Sequence, residues 1–411
     1  MPWHVGNLFS GRFEAMKVLV NSTALLAPLT GIGQYIRNLF GAMSALQSAQ
    51  LNFFDGTSLS SEMRTSEHAG QQDSRGARQA QTIRTVYGWA KRWVPKPRIV
   101  RRMLEKASFS WHTQHLGADV VYHEPNFLPL PYRGPMVLTI YDLSCFDHPA
   151  SHPGERVRMM EKELPKAIER AEHLLVISKA TQASLQQWFS VPDHKITTTY
   201  LAADARFQPR SVDALMPALM SFGLAPEEYV LCVGTLEPRK NLITLFEAYS
   251  RLPANLRKRY PLVLAGMKGW HTEALMSSAQ TLLARQELRI LGYVSDADVA
   301  HLYSGAAAVC YPSRYEGFGL PALEAMASGV PIICSNATSL PEVVGADGLL
   351  IDPDDVSGFT DGLRQVLEDR QFAKALGLRG LARSQLFSWQ QCAQETLGVY
   401  AKVLAQKGKQ A

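Results

Sequence analysis

Short runs of apolar residues alternate with longer segments of helical periodicity along most of the chain. This alternation is typical of βαβ units in doubly wound parallel sheets. In the first half it predicts strands at 17–21, 51–54, 119–122, 136–140, 174–177 and 196–200, and helices at 32–47 and 155–171. In the second half it predicts strands at 229–234, 261–266, 288–294, 307–313 and 330–335, and helices at 241–251, 296–305 and 321–328. We therefore predict an α/β protein with two parallel-sheet domains.

Interruptions of the pattern set the predicted domain boundaries. Residues 206–228 lack strand periodicity and contain three prolines, which predicts a linker between domains at 16–205 and 229–387. Residues 388–411 predict a last helix that crosses back to the N-terminal domain. Residues 1–15 show neither pattern and no signal-peptide core, so they are a disordered leader or, as we favour, Met16 is the true start.

Composition narrows the class of protein. A length of 411 residues favours two domains, and no apolar run is long enough for a transmembrane helix. The five cysteines form no CxxC pair, which favours buried thiols in a reducing compartment over disulfides or zinc. A net charge of +5 does not indicate a nucleic-acid polycation.

The segment YEGFGLPALEAMASGVPIIC (315–334) places glutamates on both sides of a glycine turn. Pro321 suits a helix start and Gly329 a helix end, so the amides before the helix predict an anion site. A carboxylate beside a phosphate is repulsive unless it accepts hydrogen bonds from sugar hydroxyls. A pair of merely structural glutamates is the alternative. The candidate ligand-binding residues here are Glu316, Phe318, Gly319, Leu320 and Glu324.

The segment VGTLEPRKNL (233–242) lies between a predicted strand and a predicted helix. Arg239 and Lys240 oppose the dipole of that helix, so we expect an anion beside them, and a diphosphate suits both cations. A solvated helix start is the alternative. The diphosphate interpretation predicts that Lys240→Ala lowers turnover far more than it lowers folding stability.

Gly31 and Gly33 in LTGIGQYIRNL predict a turn between the first strand and the first helix. Ile36 stands where a nicotinamide-binding fingerprint needs a third glycine, so the motif favours a bare turn that a phosphate or sugar approaches.

Polar residues also follow the later strands of the first half. His123 and Glu124 in YHEPNFLPL, and Tyr141 and Asp142 in TIYDLS, are placed to contact a donor or acceptor sugar, although structural capping fits equally well. No metal-ligand spacing is present, and DPDD at 352–355 indicates a turn.

Residues 75–106 contain ten lysines and arginines, with Tyr87, Trp89 and Trp93 among them and Glu105 as the only acid. Basic and aromatic residues on a helical stretch favour the surface of an anionic membrane. A solvated helical insertion is nearly as compatible, and nucleic acid is the least favoured partner.

The motifs EPRKN (237–241) and EGFGLPALE (316–324) resemble those of the retaining glycosyltransferases of family 4. The resemblance covers most of residues 16–405 and is most specific over 229–345. It implies the GT-B fold, in which two Rossmann-like domains face each other across a cleft, with an acceptor-binding N-terminal domain and a nucleotide-sugar-binding C-terminal domain.

The activity that this resemblance implies is transfer of a hexose from a nucleotide sugar to a hydroxyl of a glycan or lipid-linked saccharide, with retention of configuration. The motif set is most similar to bacterial enzymes that use GDP-mannose in lipopolysaccharide and polysaccharide assembly. It implies a mannosyltransferase. Because Arg239 and Lys240 can do what a magnesium ion would do, we expect no metal or other cofactor. The basic and aromatic segment 75–106 predicts attachment to the inner face of the cytoplasmic membrane, and we expect no nucleic-acid partner.

The resemblance also assigns roles to residues. Glu316 would contact the donor sugar and Glu324 the ribose, while Arg239 and Lys240 would neutralise the diphosphate. The remaining substrate contacts would come from Gly31, Gly33, Asp142, Phe318, Gly319, Leu320, Gly292, Tyr293 and Val294.

Two positions depart from the family pattern. Thr235 stands where many relatives have arginine, and Tyr141 stands where many have histidine, with His123 as the candidate to compensate. Three alternatives therefore stay open: a UDP- or dTDP-sugar donor, a catalytically silent GT-B subunit that tethers a partner enzyme to the membrane, and a nicotinamide-dependent dehydrogenase, which the missing third glycine disfavours.

Overall fold

The computed structural model describes residues 16–26, 31–64 and 97–408. The predicted leader (1–15) and residues 75–96 of the basic segment lie outside the described residues. The chain forms two compact units. Unit 1 contains the described residues up to Thr139, Ala167–Leu174 and those from Ala393 onward, and unit 2 contains Ile140–Lys166 and Leu175–Cys392. The domain boundaries derived from the sequence stay a prediction.

Strands of the first sheet are β1 (Met16–Asn21), β2 (Ala49–Phe54), β3 (Leu59–Ser60), β4 (Val120–Glu124), β5 (Met136–Ile140), β6 (His173–Val176) and β7 (Ile196–Thr198). Their order across the sheet is β3-β2-β1-β4-β5-β6-β7. β1 pairs in parallel with β2 and β4, and only the short β3 is recorded as antiparallel among the described pairings. All residues of β4 and β5 are buried, as expected for parallel strands that are covered on both faces.

Strands of the second sheet are β8 (Val230–Val233), β9 (Leu262–Ala265), β10 (Leu288–Gly292), β11 (Ala308–Tyr311), β12 (Ile332–Ser335) and β13 (Leu349–Ile351). Their order is β10-β9-β8-β11-β12-β13, and every neighbouring pair is parallel. The predicted α/β class with two doubly wound, mainly parallel sheets is therefore confirmed.

The α-helices among the described residues are α1 (Gly31–Ala45), α2 (Pro97–Thr113), α3 (Ser144–Asp147), α4 (Gly154–Arg170), α5 (Lys179–Phe189), α6 (Val212–Ser221), α7 (Leu242–Ser250), α8 (Ala254–Arg259), α9 (Glu273–Ala284), α10 (Asp296–Ser304), α11 (Leu320–Ala327), α12 (Leu340–Val344), α13 (Val356–Glu368), α14 (Arg370–Ser384) and α15 (Trp389–Gly408). Within the described part of the chain, no helix combines the length and the apolar character needed to cross a bilayer.

Most predicted elements occur within a few residues of their predicted bounds, but several elements were missed. Among them are α9, α13, α14 and the short strands β3 and β13. The sequence of α14 contains Gly377 and Gly380, which lower its helix propensity. In the structure these glycines allow close packing, because an added Cβ at Gly377 would lie 2.3 Å from the carbonyl oxygen of Gly329. A helix, α6, also forms within the segment predicted as a linker.

The side chain of His123 links β4 to α15 within unit 1. It is fully buried, and its Nδ1 lies 2.5 Å from the hydroxyl of Tyr400 while its Nε2 lies 2.7 Å from Oγ1 of Thr139. Burial lowers the pKa of His123 to about 3. The ring is therefore neutral at physiological pH, and its two hydrogen bonds hold it between β5 and α15. The catalytic role suggested by its position in the sequence stays a prediction.

Candidate active site

The two principal motifs meet at the topological switch point of the second sheet. The central strands β8 and β11 are neighbours, and the chain proceeds from them toward opposite edges. Ligands of open parallel sheets bind beyond the carboxyl ends of strands at such a point. The loop after β8 carries Arg239 and Lys240, and the loop after β11 carries Glu316.

These three side chains form a nearly buried ionic cluster. Nζ of Lys240 lies 2.7 Å from Oε1 of Glu316, and Nη1 of Arg239 lies 3.5 Å from Oε2. The guanidinium of Arg239 also contacts Glu237 at 2.7 Å. The Tyr311 hydroxyl, at the end of β11, donates to Oε1 of Glu316 at 2.8 Å. The sequence indicated that the two cations needed an anion, and the protein itself supplies two.

The environment of Glu316 keeps its carboxylate charged. Burial acts to raise its pKa, but the charges of Lys240 and Arg239 outweigh burial and lower the pKa to about 2. The cluster thus balances two cations against the carboxylates of Glu316 and Glu237. Each carboxylate oxygen of Glu316 contacts a cation, and its expected contact with sugar hydroxyls stays a prediction.

We predict that this cluster loses its contribution to stability in acid. Because the pKa of Glu316 is about 2 in the folded protein and ordinary in the unfolded chain, the contribution is present above about pH 4.5 and is lost as pH falls toward 2. The expected loss is on the order of 3 kcal/mol. Denaturant unfolding of wild type and Glu316→Gln from pH 6 to pH 2.5 measures it. The two free energies of unfolding should converge as pH falls, and a constant difference would contradict the prediction.

The backbone of the segment after Glu316 can be approached closely by a ligand. Helix α11 begins at Leu320, and Gly319 precedes it with φ +102°, a conformation that side chains disfavour. Pro321 lies in the first turn, as the sequence predicts. The amide of Glu316 donates to Oγ1 of Thr338, and Ser339 donates to the carbonyl of Glu316. The N-terminus of α11 is therefore held in place beside the ionic cluster, where its amides suit an anion.

Glu324 lies one turn into α11 and is half-buried. Burial raises its pKa to about 7, although the hydroxyl of Tyr303 acts in the opposite direction. A carboxyl group with this pKa exists in both protonation states near neutrality. It can therefore donate or accept a hydrogen bond to a ligand hydroxyl, which is compatible with its predicted role at a ribose.

The loop containing Gly317 packs against the segment after β5. An added Cβ at Gly317 would lie 2.1 Å from the carbonyl oxygen of Tyr141. Oγ1 of Thr181 lies 3.1 Å from that oxygen and 3.2 Å from the carbonyl oxygen of Gly317. The amide of Leu143 donates to the Tyr315 hydroxyl. Tyr141 thus contributes its backbone to this contact.

Asp142 forms an Asx turn and begins a short hydrogen-bond chain. Its carboxylate accepts from the amide and hydroxyl of Ser144 at 3.0 and 2.6 Å, and Nε2 of His152 lies 2.9 Å from that hydroxyl. Because the hydroxyl proton goes to Asp142, Nε2 must donate, which leaves Nδ1 as an acceptor. Within the described residues, buried Nδ1 has no partner. Burial and the charge of Arg156 lower the pKa of His152.

Several predicted site residues belong to other elements of the structure. Gly31 and Gly33 belong to unit 1, and the predicted turn is wrong because both lie in the first turn of α1. Gly292, Tyr293 and Val294 lie at the end of β10, an edge strand of the second sheet. Gly292 has φ +70°, and Tyr293 is exposed. Their ligand-binding roles stay predictions.

The sequence did not single out Tyr311, Tyr315, Thr181, Ser144 or His152. Tyr311 could have been found, because it ends the strand that precedes Glu316. The D-x-S spacing of Asp142 and Ser144 is also a turn signal. The part of the chain that the structure describes contains no group of three His, Cys, Asp or Glu side chains arranged to hold a metal ion.

Comparison with known proteins identifies relatives that share one kind of activity in their descriptions, glycosyl transfer. The family described as Glycosyl transferases group 1 matches residues 221–382. An "O-antigen chain mannosyltransferase B" of Escherichia coli is 37% identical over 389 residues, which cover 94% of this chain and 99% of the relative. An "MMP alpha-(1->4)-mannosyltransferase" of Mycolicibacterium hassiacum is 33% identical over 249 residues, 59% of this chain and 57% of the relative.

Solved structures show the fold. Sucrose-phosphate synthase from Thermosynechococcus elongatus superposes with a TM-score of 0.71 at 20% identity, covering 95% of this chain and all of that one. HepE of Anabaena, in complex with UDP and glucose, gives 0.68 at 17% identity, covering 94% and 100%. These neighbours confirm the predicted GT-B class. The relation to the Escherichia coli protein over nearly the full length of both chains shows that this chain belongs to the group 1 glycosyl transferases.

Proposed function

We propose that this glycosyltransferase transfers mannose from GDP-mannose to a hydroxyl of a growing glycan or lipid-linked saccharide in lipopolysaccharide or polysaccharide assembly, with retention of configuration. The observation that carries the proposal is the 37% identity to an O-antigen chain mannosyltransferase across 94% of this chain. The charge arrangement at the switch point supports sugar–diphosphate chemistry.

In this proposal Arg239 and Lys240 stabilise the leaving diphosphate. Both are nearly buried, so their electrostatic effect is larger than in water. Because Glu237 and Glu316 neutralise them in the free protein, an arriving diphosphate would exchange one set of anionic partners for another. The N-terminus of α11 would add backbone amide donors, which form no ion pair that the diphosphate would have to replace. These groups perform the charge neutralisation that a divalent ion would otherwise provide.

A thermal-shift panel tests the donor. GDP, UDP, dTDP and ADP and their sugar conjugates are added to the full chain with EDTA, and again with Mg²⁺. A ligand at 100 times its dissociation constant adds about 2.7 kcal/mol of stability. We expect a shift with GDP and GDP-mannose that does not need Mg²⁺. A shift with UDP or dTDP compounds alone would overturn the donor, and no shift in folded protein would favour the catalytically silent subunit.

We further propose that the protein acts at the inner face of the cytoplasmic membrane. Helix α2 exposes Met103 (64%), Leu104 (62%) and Trp111 (71%), and Lys106 on the same helix is also exposed. An apolar helix surface flanked by cations suits the interface of an anionic bilayer. Residues 75–96 of the basic segment, which lie outside the described residues, add five lysines and arginines besides Lys96 to the charge of this segment.

Vesicle sedimentation tests the membrane proposal. Wild type should bind phosphatidylcholine vesicles that contain phosphatidylglycerol, and high salt should release it because charge attraction is screened. Leu104→Ser/Trp111→Ser should bind less. The matched control is Leu378→Ser/Leu386→Ser, which removes two exposed leucines of unit 2. Equal binding by both double variants would contradict a role for α2.

A further inference from the structure

The two glutamates on either side of the glycine turn lie in opposite electrostatic environments. Burial acts on both carboxyl groups, but the two cations in contact with Glu316 lower its pKa to about 2. The pKa of Glu324 is instead raised to about 7 by burial. Neighbouring carboxyl groups whose pKa values are pushed apart in this way perform different tasks. Glu316 keeps its charge in the ionic cluster, whereas the proton of Glu324 is exchangeable near neutrality.

The cation that faces Glu324 is already paired with other carboxylates. Nη1 of Arg206 lies 2.7 Å from Oδ2 of Asp296, and Nη2 lies 2.8 Å from Oδ2 of Asp204. An ionised Glu324 is therefore a third carboxylate around one guanidinium, and the charges of Asp204 and Asp296 oppose its own. Burial and like charges both favour the protonated form of a carboxyl group. The arrangement of these side chains thus explains why Glu324 holds its proton.

Tyr303 places a hydroxyl group beside Glu324. Its side chain is fully buried on α10, and the ring of Phe207 packs edge-on against it with the centroids 5.4 Å apart. The hydroxyl interacts with the carboxyl group of Glu324, but it makes no well-formed hydrogen bond within the described part of the chain. Because a buried donor without a full hydrogen bond is costly, the position of Tyr303 favours a state in which Glu324 is ionised and accepts from it.

Glu324 is the member of this neighbourhood whose charge changes near neutral pH. Burial raises the pKa of Tyr303 well above its ordinary value, so its hydroxyl stays a donor. Tyr311 and Cys232 lie next to Tyr303, and burial raises the pKa of both, so both are neutral. Histidine side chains also titrate near neutrality, and α10 carries one, His301, which serves as a control.

We propose that Glu324 gives up its proton when it accepts hydrogen bonds from the ribose hydroxyls of the donor, and that Tyr303 is the positioning residue that donates to the carboxylate so formed. The contact with a ribose belongs to the proposed function, on which this proposal rests, and the proton and Tyr303 are new. No covalent bond between heavy atoms changes. The proton passes from the carboxyl group to the buffer, and the hydroxyl groups of ribose and Tyr303 remain intact as hydrogen-bond donors.

The direction of the pH dependence follows from this exchange. Because the ribose hydroxyls and Tyr303 donate to the charged form of Glu324, the complex holds fewer protons than the protein without ligand. Binding of the donor therefore becomes tighter as pH rises through the pKa of Glu324, about 7. At pH 7 about half a proton should be released per nucleotide sugar, and Kd should fall about tenfold between about pH 6 and pH 8.

Isothermal titration calorimetry of the full-length chain with GDP-mannose tests the proposal. A nucleotide sugar is the probe because its diphosphate is esterified at both ends and does not titrate near neutrality, as the terminal phosphate of GDP does. Titrations in PIPES and in Tris, which differ in ionisation enthalpy, give the number of protons released, and Kd is measured across the neutral range into mild alkali. The variants are Glu324→Gln, Tyr303→Phe, which removes only the hydroxyl, and His301→Gln. Melting temperature shows whether each variant folds.

We expect wild type and His301→Gln to release about half a proton at neutral pH, and Glu324→Gln to release none and to bind with an affinity that does not depend on pH. Tyr303→Phe should bind more weakly than wild type at neutral pH but nearly as tightly in mild alkali, because loss of the donor raises the pH at which Glu324 ionises.

Absence of proton release by wild type would overturn the proposal, as would a release that Glu324→Gln retains. A loss of affinity in Tyr303→Phe that is equal at every pH would overturn the role of Tyr303. If UDP-glucose binds in place of GDP-mannose, the proposed donor fails, and the same titrations with UDP-glucose decide the role of the proton because both compounds carry a ribose. If neither nucleotide sugar binds, the proposed function and the proton exchange fail together.

Discussion

The Lys240→Ala variant is expected to lose both folding stability and transfer activity. Lys240 makes the shorter of the two ion pairs to Glu316, 2.7 Å against 3.5 Å for Arg239. Removing one partner of a buried pair leaves the other charge uncompensated, which costs about 3–5 kcal/mol. Transfer should fall about 100- to 1,000-fold, as for loss of one preorganised group that stabilises developing charge.

This expectation differs from the one that the sequence alone supported, in which turnover fell far more than folding stability. The double variant Lys240→Ala/Glu316→Gln separates the two effects. Because the uncompensated carboxylate is gone, the double variant should recover much of the stability lost in Lys240→Ala while remaining inactive. Denaturant unfolding and a transfer assay on the four proteins of this cycle give the coupling energy. Additive stability losses would contradict the pairing of Lys240 with Glu316.

The Gly317→Ala variant is expected to fold less stably and to lose most transfer activity. The added Cβ would lie 2.1 Å from the carbonyl oxygen of Tyr141 and 3.1 Å from Cβ of Asp142. Backbone atoms cannot rotate away as a flexible side chain does, so the loop that carries Glu316 must shift. Overpacking of this kind costs about 1–3 kcal/mol, and a displacement near 1 Å costs about 100-fold in rate.

Gly154→Ala is the matched control for this variant. Gly154 also belongs to unit 2, and its added Cβ would meet only Nη1 of Arg158, at 3.7 Å. Melting temperature and steady-state transfer rates should therefore stay near wild type. A Gly317→Ala protein with unchanged rates would show that the contact between this loop and Tyr141 is not needed for transfer.

Local sequence signals predicted the sheets and the positions of the motifs. The strands are short buried apolar runs, so β1, β5 and β11 were recognisable without long-range information. The same pattern predicted that Arg239, Lys240 and Glu316 follow the ends of strands. The start of α11 was recognisable because Pro321 and the glycines before it are local signals.

The pairing of charges could not be predicted in the same way. Glu316 and Lys240 are 76 residues apart, and their distance depends on β8 and β11 being adjacent, which no local signal states. The same holds for His123, whose partner Tyr400 comes from the last helix. The motif His123-Glu124 indicated a polar site. Both side chains are fully buried, but His123 is hydrogen-bonded to Tyr400 and Thr139, while Glu124 accepts hydrogen bonds from Asn21.

The contact between His123 and Tyr400 also bears on how the protein is made. Unit 1 contains both residues, and 277 positions separate them in the sequence. At ribosomal rates of about 5–20 residues per second, the nascent chain carries His123 without its partner Tyr400 for roughly 14–55 s. Synthesis of unit 1 therefore begins before that of unit 2 but ends after it. During that interval its exposed apolar surface is a target for chaperones, and premature release of the chain before Tyr400 would leave unit 1 unfinished while unit 2 is nearly whole.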